Sequence, residues 1–252
     1  MSVEQIVQER YSGGAREKQE ALCCPVTYDR ELLAILPQEI IEKDYGCGDP
    51  SRYVRKGDTV VDLGSGGGKI CYMAAQIVGA EGRVIGIDMT DDMLALARRH
   101  QHQMARTLGY DVVEFHKGYI QQLGEIVTRE SVDLVISNCV LNLVAEQDRV
   151  QLMLGLYQVL KPGGRIAISD IVCTQEVSQA IRDDPELWTG CIAGAFQKDE
   201  FLSAFADAGF VDVDYDKWDD QPWRVIDNVH FHSATVVARK PGGQASSSGC
   251  CA

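Results

Sequence analysis

From about residue 59 onward, short apolar runs of strand length alternate with longer stretches whose apolar residues recur every three or four positions. The runs are Thr59-Val60-Val61-Asp62-Leu63, Arg83-Val84-Ile85-Gly86-Ile87-Asp88, Val132-Asp133-Leu134-Val135-Ile136-Ser137 and Arg165-Ile166-Ala167-Ile168-Ser169-Asp170, with a weaker one at Val112-Val113-Glu114-Phe115. Helical stretches lie between them: Lys69 to Val78, stopped by Gly79; Asp91 to Leu108, with Thr90 as cap; and Gln147 to Leu160, ended by a turn at Lys161-Pro162-Gly163-Gly164. Strand-helix-strand alternation of this kind predicts a mostly parallel sheet with right-handed crossovers and helices on both faces. A helix from Phe201 to Ala208 and strands at Val211 to Tyr215 and Phe231 to Ala238 complete a seven-stranded sheet.

The first 50 residues read differently. Arg16 to Cys24 and Tyr28 to Gly46 carry helical spacing broken at Pro25 and Pro37, which predicts a helical lead-in or lid over 1–50. The expected division is then a core over 51–173, a substrate-loop region with terminal strands of the same domain over 174–240, and a flexible Gly/Ser-rich tail over 241–252.

The loop after the first strand carries the candidate chemistry. Asp62-Leu63-Gly64-Ser65-Gly66-Gly67-Gly68 stands at a strand's carboxyl end, where doubly wound sheets bind ligands. A dinucleotide fingerprint needs a third glycine where Lys69 stands, and a phosphate-binding P-loop fails at Leu63 and Ile70. What remains is a hydrophobic-Asp-x-Gly-x-Gly pattern followed by a second strand ending in Asp88, an acid placed to accept both hydroxyls of a ribose. The pattern resembles motif I of the class I methyltransferases, and that resemblance implies a Rossmann-like fold and S-adenosylmethionine as cofactor. Gly118 and Ile120 stand where a backbone group meets the adenine, and Asn138 ends the fourth strand near the methyl position. Tyr45, Gly46 and Met89 complete the expected cradle.

Composition narrows the partners. A net charge of −13 disfavours nucleic acid and gives no reason to sit on an anionic membrane. No run reaches the length of a membrane span, and the polar, acidic start does not read as a secretory signal, so a cytoplasmic protein is expected. Nine cysteines in a reducing compartment are a poor disulfide framework. Burial as small apolar groups accounts for Cys71 and Cys173. Cys139 is different, because topology sets it at the mouth of the cofactor site. Cys47 and Cys191 lie between glycines in loops read over the same edge. The adjacent pairs Cys23-Cys24 and Cys250-Cys251 suit a thiophilic atom or redox work. The histidines add little. His100 and His102 do not share a helix face, and His230 and His232 share a strand face without a third ligand.

Five segments together resemble the arsenite methyltransferase family: Asp44-Tyr45-Gly46-Cys47-Gly48, Asp62-Leu63-Gly64-Ser65-Gly66, Ser137-Asn138-Cys139-Val140-Leu141-Asn142-Leu143, Leu160-Lys161-Pro162-Gly163-Gly164 and Leu187-Trp188-Thr189-Gly190-Cys191. The resemblance extends from about residue 20 to 240. It implies arsenic(III) held by thiolates of Cys139 and Cys191, Cys47 as a further ligand or redox partner, and Cys23 or Cys24 in a disulfide relay reset by thioredoxin or glutathione. A monomer is expected. The chain departs from the family in lacking the longer C-terminal region of some members, which bears on which arsenicals it accepts. Two other readings stay open here: methylation of a small organic acceptor or another soft metalloid, and metalloid binding without turnover.

Overall fold

A computed structural model describes residues 2–19 and 26–242. The elements run α1 (Val3–Arg16), α2 (Arg30–Leu33), α3 (Gln38–Glu42), β1 (Thr59–Leu63), α4 (Lys69–Val78), β2 (Arg83–Asp88), α5 (Asp91–Leu108), β3 (Val113–Lys117), α6 (Leu123–Ile126), β4 (Val132–Asn138), α7 (Arg149–Val159), β5 (Leu160–Cys173), α8 (Gln179–Arg182), α9 (Pro185–Thr189), β6 (Phe196–Gln197), α10 (Lys198–Asp207), β7 (Val211–Trp218), β8 (Arg224–Ile226) and β9 (Val229–Arg239). Seven strands, the number the runs predict, form one path, and its order is β3-β2-β1-β4-β5-β9-β7. β1 to β5 are parallel and β9 runs antiparallel between β5 and β7. Two short strands extend the expectation: β6 pairs with the end of β5, and β8 with β9.

Helices cover both faces, so the central strands bury their two sides and read as near-continuous apolar runs. Val60, Val84, Leu134 and Ile136 pack with Ile70, Leu94, Ala97 and Met104 of α4 and α5. Val61, Leu63, Ile85 and Val135 pack on the other face with Leu152 and Leu156 of α7 and Phe201 and Phe205 of α10. β7 is an edge strand: Asp212, Asp214 and Asp216 alternate outward, a charged rim that discourages pairing with another chain.

Several boundaries differ from the pattern. Of the expected helical stretch over Arg16 to Cys24, residues 17–19 are not helical and residues 20–24 lie outside the described residues. α1 starts at a capping box, in which the Ser2 hydroxyl accepts from the Gln5 N–H and the Gln5 side chain accepts from the Ser2 N–H, and it ends as Glu17 turns extended. Residues 20–25, with Cys23 and Cys24, and 243–252, with most of the expected tail and Cys250-Cys251, lie outside the described residues. Lys161 to Gly164 enters β5 as an irregular first stretch rather than preceding it. Thr90 stands at the cap position of α5, but its backbone N–H is held by Asp88 and its side chain makes no cap bond. No described helix is long and apolar enough to cross a membrane.

The order of the strands fixes where ligands gather. The chain crosses from β1 outward to β2 and β3, then returns to β4 on the other side of β1. The switch falls between β1 and β4, and the crevice outside their carboxyl ends is the ligand position of such sheets.

Candidate active site

β1 delivers the chain into a glycine loop. Gly64, Gly66 and Gly68 all take the left-handed backbone, with φ of 65°, 51° and 86°. A Cβ on Gly64 would lie 2.5 Å from a Val140 methyl, so this turn also needs the absence of a side chain. Above Gly66 the space is open; the nearest atom to a built Cβ is the Met93 sulfur at 3.9 Å. Asp88, at the end of β2, braces the loop: its Oδ2 accepts the Gly66 N–H at 2.9 Å and its Oδ1 the Thr90 N–H at 2.8 Å. Burial raises its carboxyl above the ordinary range, and these N–H groups offset part of that rise.

The loop floors a cleft lined also by Tyr45, Gly46, Met89, Gly118, Ile120, Asn138 and Cys139. Asp62 lies at its base, fully buried, its carboxyl pushed up to about 7 by desolvation despite a bond from the Cys71 thiol at 3.2 Å. On one side Lys69 pairs with Asp44 at 2.7 Å and stands 3.2 Å over the Tyr28 ring. Across the top lies α1. Gln8 donates to the Met89 carbonyl at 3.3 Å, and Tyr45 donates to the Gly14 carbonyl at 2.9 Å, its ring filling the space a side chain at Gly14 would need.

The residues fit S-adenosylmethionine. Each Asp88 oxygen spends one lone pair on backbone and keeps capacity for a hydroxyl. The Ser65 hydroxyl is buried beneath the loop without a hydrogen-bond partner, and Gly66 leaves backbone open to close approach.

The cysteines converge beside this cleft. Cys47, Cys139 and Cys191 join one buried apolar cluster at the end of the sheet, with Ile171, Ile192 and Phe231. Cys47 is pinned on both sides of its backbone: its N–H donates to Asn138 Oδ1 at 2.9 Å and its carbonyl accepts from the Ser233 hydroxyl at 2.7 Å. The Cys139 N–H donates to the Ser169 carbonyl at 2.8 Å, and the Cys191 carbonyl accepts from Asn142 Nδ2 at 3.1 Å. Cys139 and Cys191 both hold positive φ, 61° and 62°, a conformation uncommon outside glycine and a mark of functional positions. The Cys191 thiol lies 3.2 Å from the Cys139 carbonyl oxygen. Sγ of Cys47, Sγ of Cys139 and a carboxylate oxygen of Asp170 lie within 4.8 Å of one another. Asp170 is fully buried at the end of β5, and burial pushes its carboxyl up to about 7 against bonds from the N–H groups of Ile171 and Asn142.

The structure thus lines one crevice with most of the predicted residues and sets Cys47 and Cys191 beside it in the thiol cluster; Leu63 stands apart from both. Leu63 does not line the cleft; alternation along β1 turns its side chain into the core beneath the loop, where it is fully buried. Cys23 and Cys24 fall outside the described residues. Cys71 and Cys173 are buried as expected, Cys173 donating to the Phe196 carbonyl at 3.3 Å. Sequence reasoning missed Tyr11, Asp170 and Asn142. Tyr11 reaches over from α1, donating to the Thr189 carbonyl at 3.4 Å and bonding the Cys191 side chain. Asp170 carried a usable signal: it ends the apolar run read as a strand, as Asp88 ends β2, although β5 itself continues to Cys173.

Fold and cleft together define a class I S-adenosylmethionine-dependent methyltransferase architecture. The methyltransferase domain family matches residues 54–209. The chain is 37% identical over 268 residues to an arsenite methyltransferase of Halobacterium salinarum, covering 94% of this chain and 66% of that protein. It is 37% identical over 184 residues to the arsenite methyltransferase of Homo sapiens, covering 72% of this chain and 48% of that one. A crystal structure of an arsenic(III) S-adenosylmethionine methyltransferase from Chlamydomonas reinhardtii superposes with a TM-score of 0.78 at 33% identity, over 90% of this chain and 76% of that one. The chain belongs to the arsenite methyltransferase family. It spans just under two thirds of the length of its Halobacterium relative and about half of its human one.

Proposed function

We propose that this chain methylates trivalent arsenic with S-adenosylmethionine, as a step of arsenic detoxification. One observation carries the reading: Cys139 lines the cofactor cleft and at the same time stands in the thiol pocket beside Cys47. A thiophilic acceptor held there lies next to whatever the glycine loop holds.

S-adenosylmethionine, when bound, supplies an electrophilic methyl group on a sulfonium. The chain's own residues do the placing. Asp88 orients a ribose, the loop from Gly64 to Gly68 admits close approach, and Tyr45 and Gln8 hold α1 across the cleft. Cys139 and Cys191 bind the arsenic as thiolates, with Cys47 as a third ligand or redox partner; thiolate, not thiol, is the ligand form. Arsenic(III) bound to sulfur keeps its lone pair, so no side chain has to remove a proton from the acceptor. Catalysis is then mainly the fixing of two reactants at short range. Methylation raises arsenic formally to the pentavalent state. Two thiolates joining as a disulfide give up two electrons and return it to trivalent, and an external dithiol or glutathione regenerates them. Cys23 or Cys24 completes that relay. We place the chain in the cytoplasm as a monomer, with thioredoxin or glutathione as its reductant.

The test is arsenic speciation after incubation of arsenite, S-adenosylmethionine and excess thiol with wild type and with Cys139→Ser. Methylated arsenic and S-adenosylhomocysteine are expected from the first and neither from the second. Absence of both from wild type with intact thiols would refute the reading.

A further inference from the structure

The thiol pocket holds one group that arsenic does not need. Asp170 brings a carboxylate oxygen within 4.8 Å of both the Cys47 and Cys139 sulfurs, and all three residues are buried. The donors come from three separate parts of the chain: the loop before β1, the end of β4 and the end of β5. Backbone fixes each in place. Cys47 hangs between Asn138 and Ser233, Cys139 on the Ser169 carbonyl, and Asp170 on the N–H groups of Ile171 and Asn142.

Two sulfurs and one carboxylate make a mixed donor set. Trivalent arsenic is a thiophile and gains little from an oxygen ligand. A borderline or soft divalent cation takes both: zinc accepts thiolates at about 2.3 Å and carboxylate oxygens at about 2.0–2.2 Å around a tetrahedron. Donors on such a tetrahedron stand roughly 3.5–4 Å apart, which follows from those bond lengths, so a separation of at most 4.8 Å closes onto an ion by small side-chain rotations. The donor set, with two thiolates and a carboxylate, carries enough negative charge to neutralise a divalent ion. Three protein ligands leave the fourth position to water on the side where Cys139 meets the cleft.

We propose that Cys47, Cys139 and Asp170 form a binding site for a divalent zinc-like cation, zinc or cadmium, which excludes arsenite from the pocket while it is bound. Each thiol loses its proton to solvent as its metal–sulfur bond forms. The site shares Cys139 with the arsenite reading, and Cys47 where that residue serves as the third ligand, but does not require that arsenite be the substrate.

The experiment titrates cadmium into the reduced full-length chain and follows the ultraviolet thiolate-to-cadmium charge-transfer band, with arsenite binding measured separately by elemental analysis after gel filtration. The difference between wild type and Cys139→Ser isolates this site from the other cysteines, and one cadmium per chain is expected in that difference. Asp170→Asn is expected to weaken cadmium by at least about 10-fold, the low end of what partners around a metal cost when removed, while arsenite binding stays within about 3-fold of wild type, a change too small to count as a lost ligand. Equal cadmium affinity in wild type and Asp170→Asn overturns the proposal, as does equal loss of both ligands in a folded variant. If Asp170→Asn does not fold, competition on the wild type decides: cadmium and arsenite must displace each other one for one, and independent binding overturns the site. A wild type that binds cadmium but no arsenite would instead refute the arsenite reading alone.

Discussion

The Cys191 thiol rests 3.2 Å from the carbonyl oxygen of Cys139, and both residues hold the left-handed backbone conformation. Such a conformation costs on the order of 1–3 kcal/mol at a non-glycine residue. Here it aims two side chains from different segments into one buried cluster. Replacing either cysteine by Ser is expected to lower arsenite methylation by at least about 10²-fold, the scale on which a misplaced reactant costs rate, with S-adenosylmethionine binding retained. Cys139→Gly should melt above Cys139→Ser in scanning fluorimetry because glycine relieves the strained φ. The reverse order would show that the conformation stores no strain.

Asp88 spends both oxygens on backbone N–H groups of the cofactor loop and its flank. Asp88→Asn removes the charge that strengthens those bonds and the bonds to a ribose. Hydrogen bonds to charged groups contribute about 1.5–3 kcal/mol, so calorimetric affinity for S-adenosylmethionine should fall roughly 10–100-fold. A change below about 3-fold, well under one such bond, would remove Asp88 from the ribose position.

Tyr45 ties the lid to the cleft through the Gly14 carbonyl at 2.9 Å, and its hydroxyl accepts the Gln19 N–H at 3.1 Å. Tyr45→Phe keeps the ring and deletes both bonds. At about 1 kcal/mol for each of the two bonds, KM for S-adenosylmethionine should rise by up to about 30-fold with kcat little changed, and limited proteolysis should cut sooner within α1. Unaltered proteolysis would mean that Tyr45 does not hold the lid.

Asp62 and Asp170 are buried acids raised to about 7 from an unfolded value of 3.8. Between those values the folded chain binds more protons than the unfolded one, so stability falls as pH rises from about 4 towards 7 and beyond. The half-buried Glu39 acts in the opposite sense. Its bond from His100 is the largest of several that lower it to about 2, so its contribution is present above about 4.5 and lost as pH drops towards 2. Melting temperatures should therefore decline from pH 5 to 8, and Asp170→Asn should flatten that decline. A wild-type profile that rises over this interval would contradict the assignment of both acids.

Much of this was legible because the central elements obey local rules. β1, β2, α4 and α5 lie where the apolar periods put them, since a doubly covered parallel strand needs a continuous apolar run and a glycine stops its helix. Seven of the strands and the glycine loop could be named in advance, and so could three cysteines that the structure buries in one cluster. β6 and β8 could not, being short strands that exist only because β5 and β9 offer an edge. A helical lead-in or lid over 1–50 was expected, but the bounds of α1 were not legible, because its polar surface faces solvent while Gly14 and Tyr11 face the site. Asp170 was read as the end of a strand; only β4, β5 and the Cys47 loop meeting in space turn it towards two sulfurs.

Asn138 belongs to the wall of the cofactor cleft, yet its amide also grips the backbone of Cys47 and Gly48, accepting both N–H groups and donating to the Gly48 carbonyl. One side chain is therefore a lever with an arm in each chamber. Whatever the methyl donor does to the grip on the acceptor through that lever, the acceptor must return to the donor in equal measure, because such coupling is reciprocal by thermodynamic necessity. On the proposed reading, methyl donor and acceptor are, in that sense, each other's effectors.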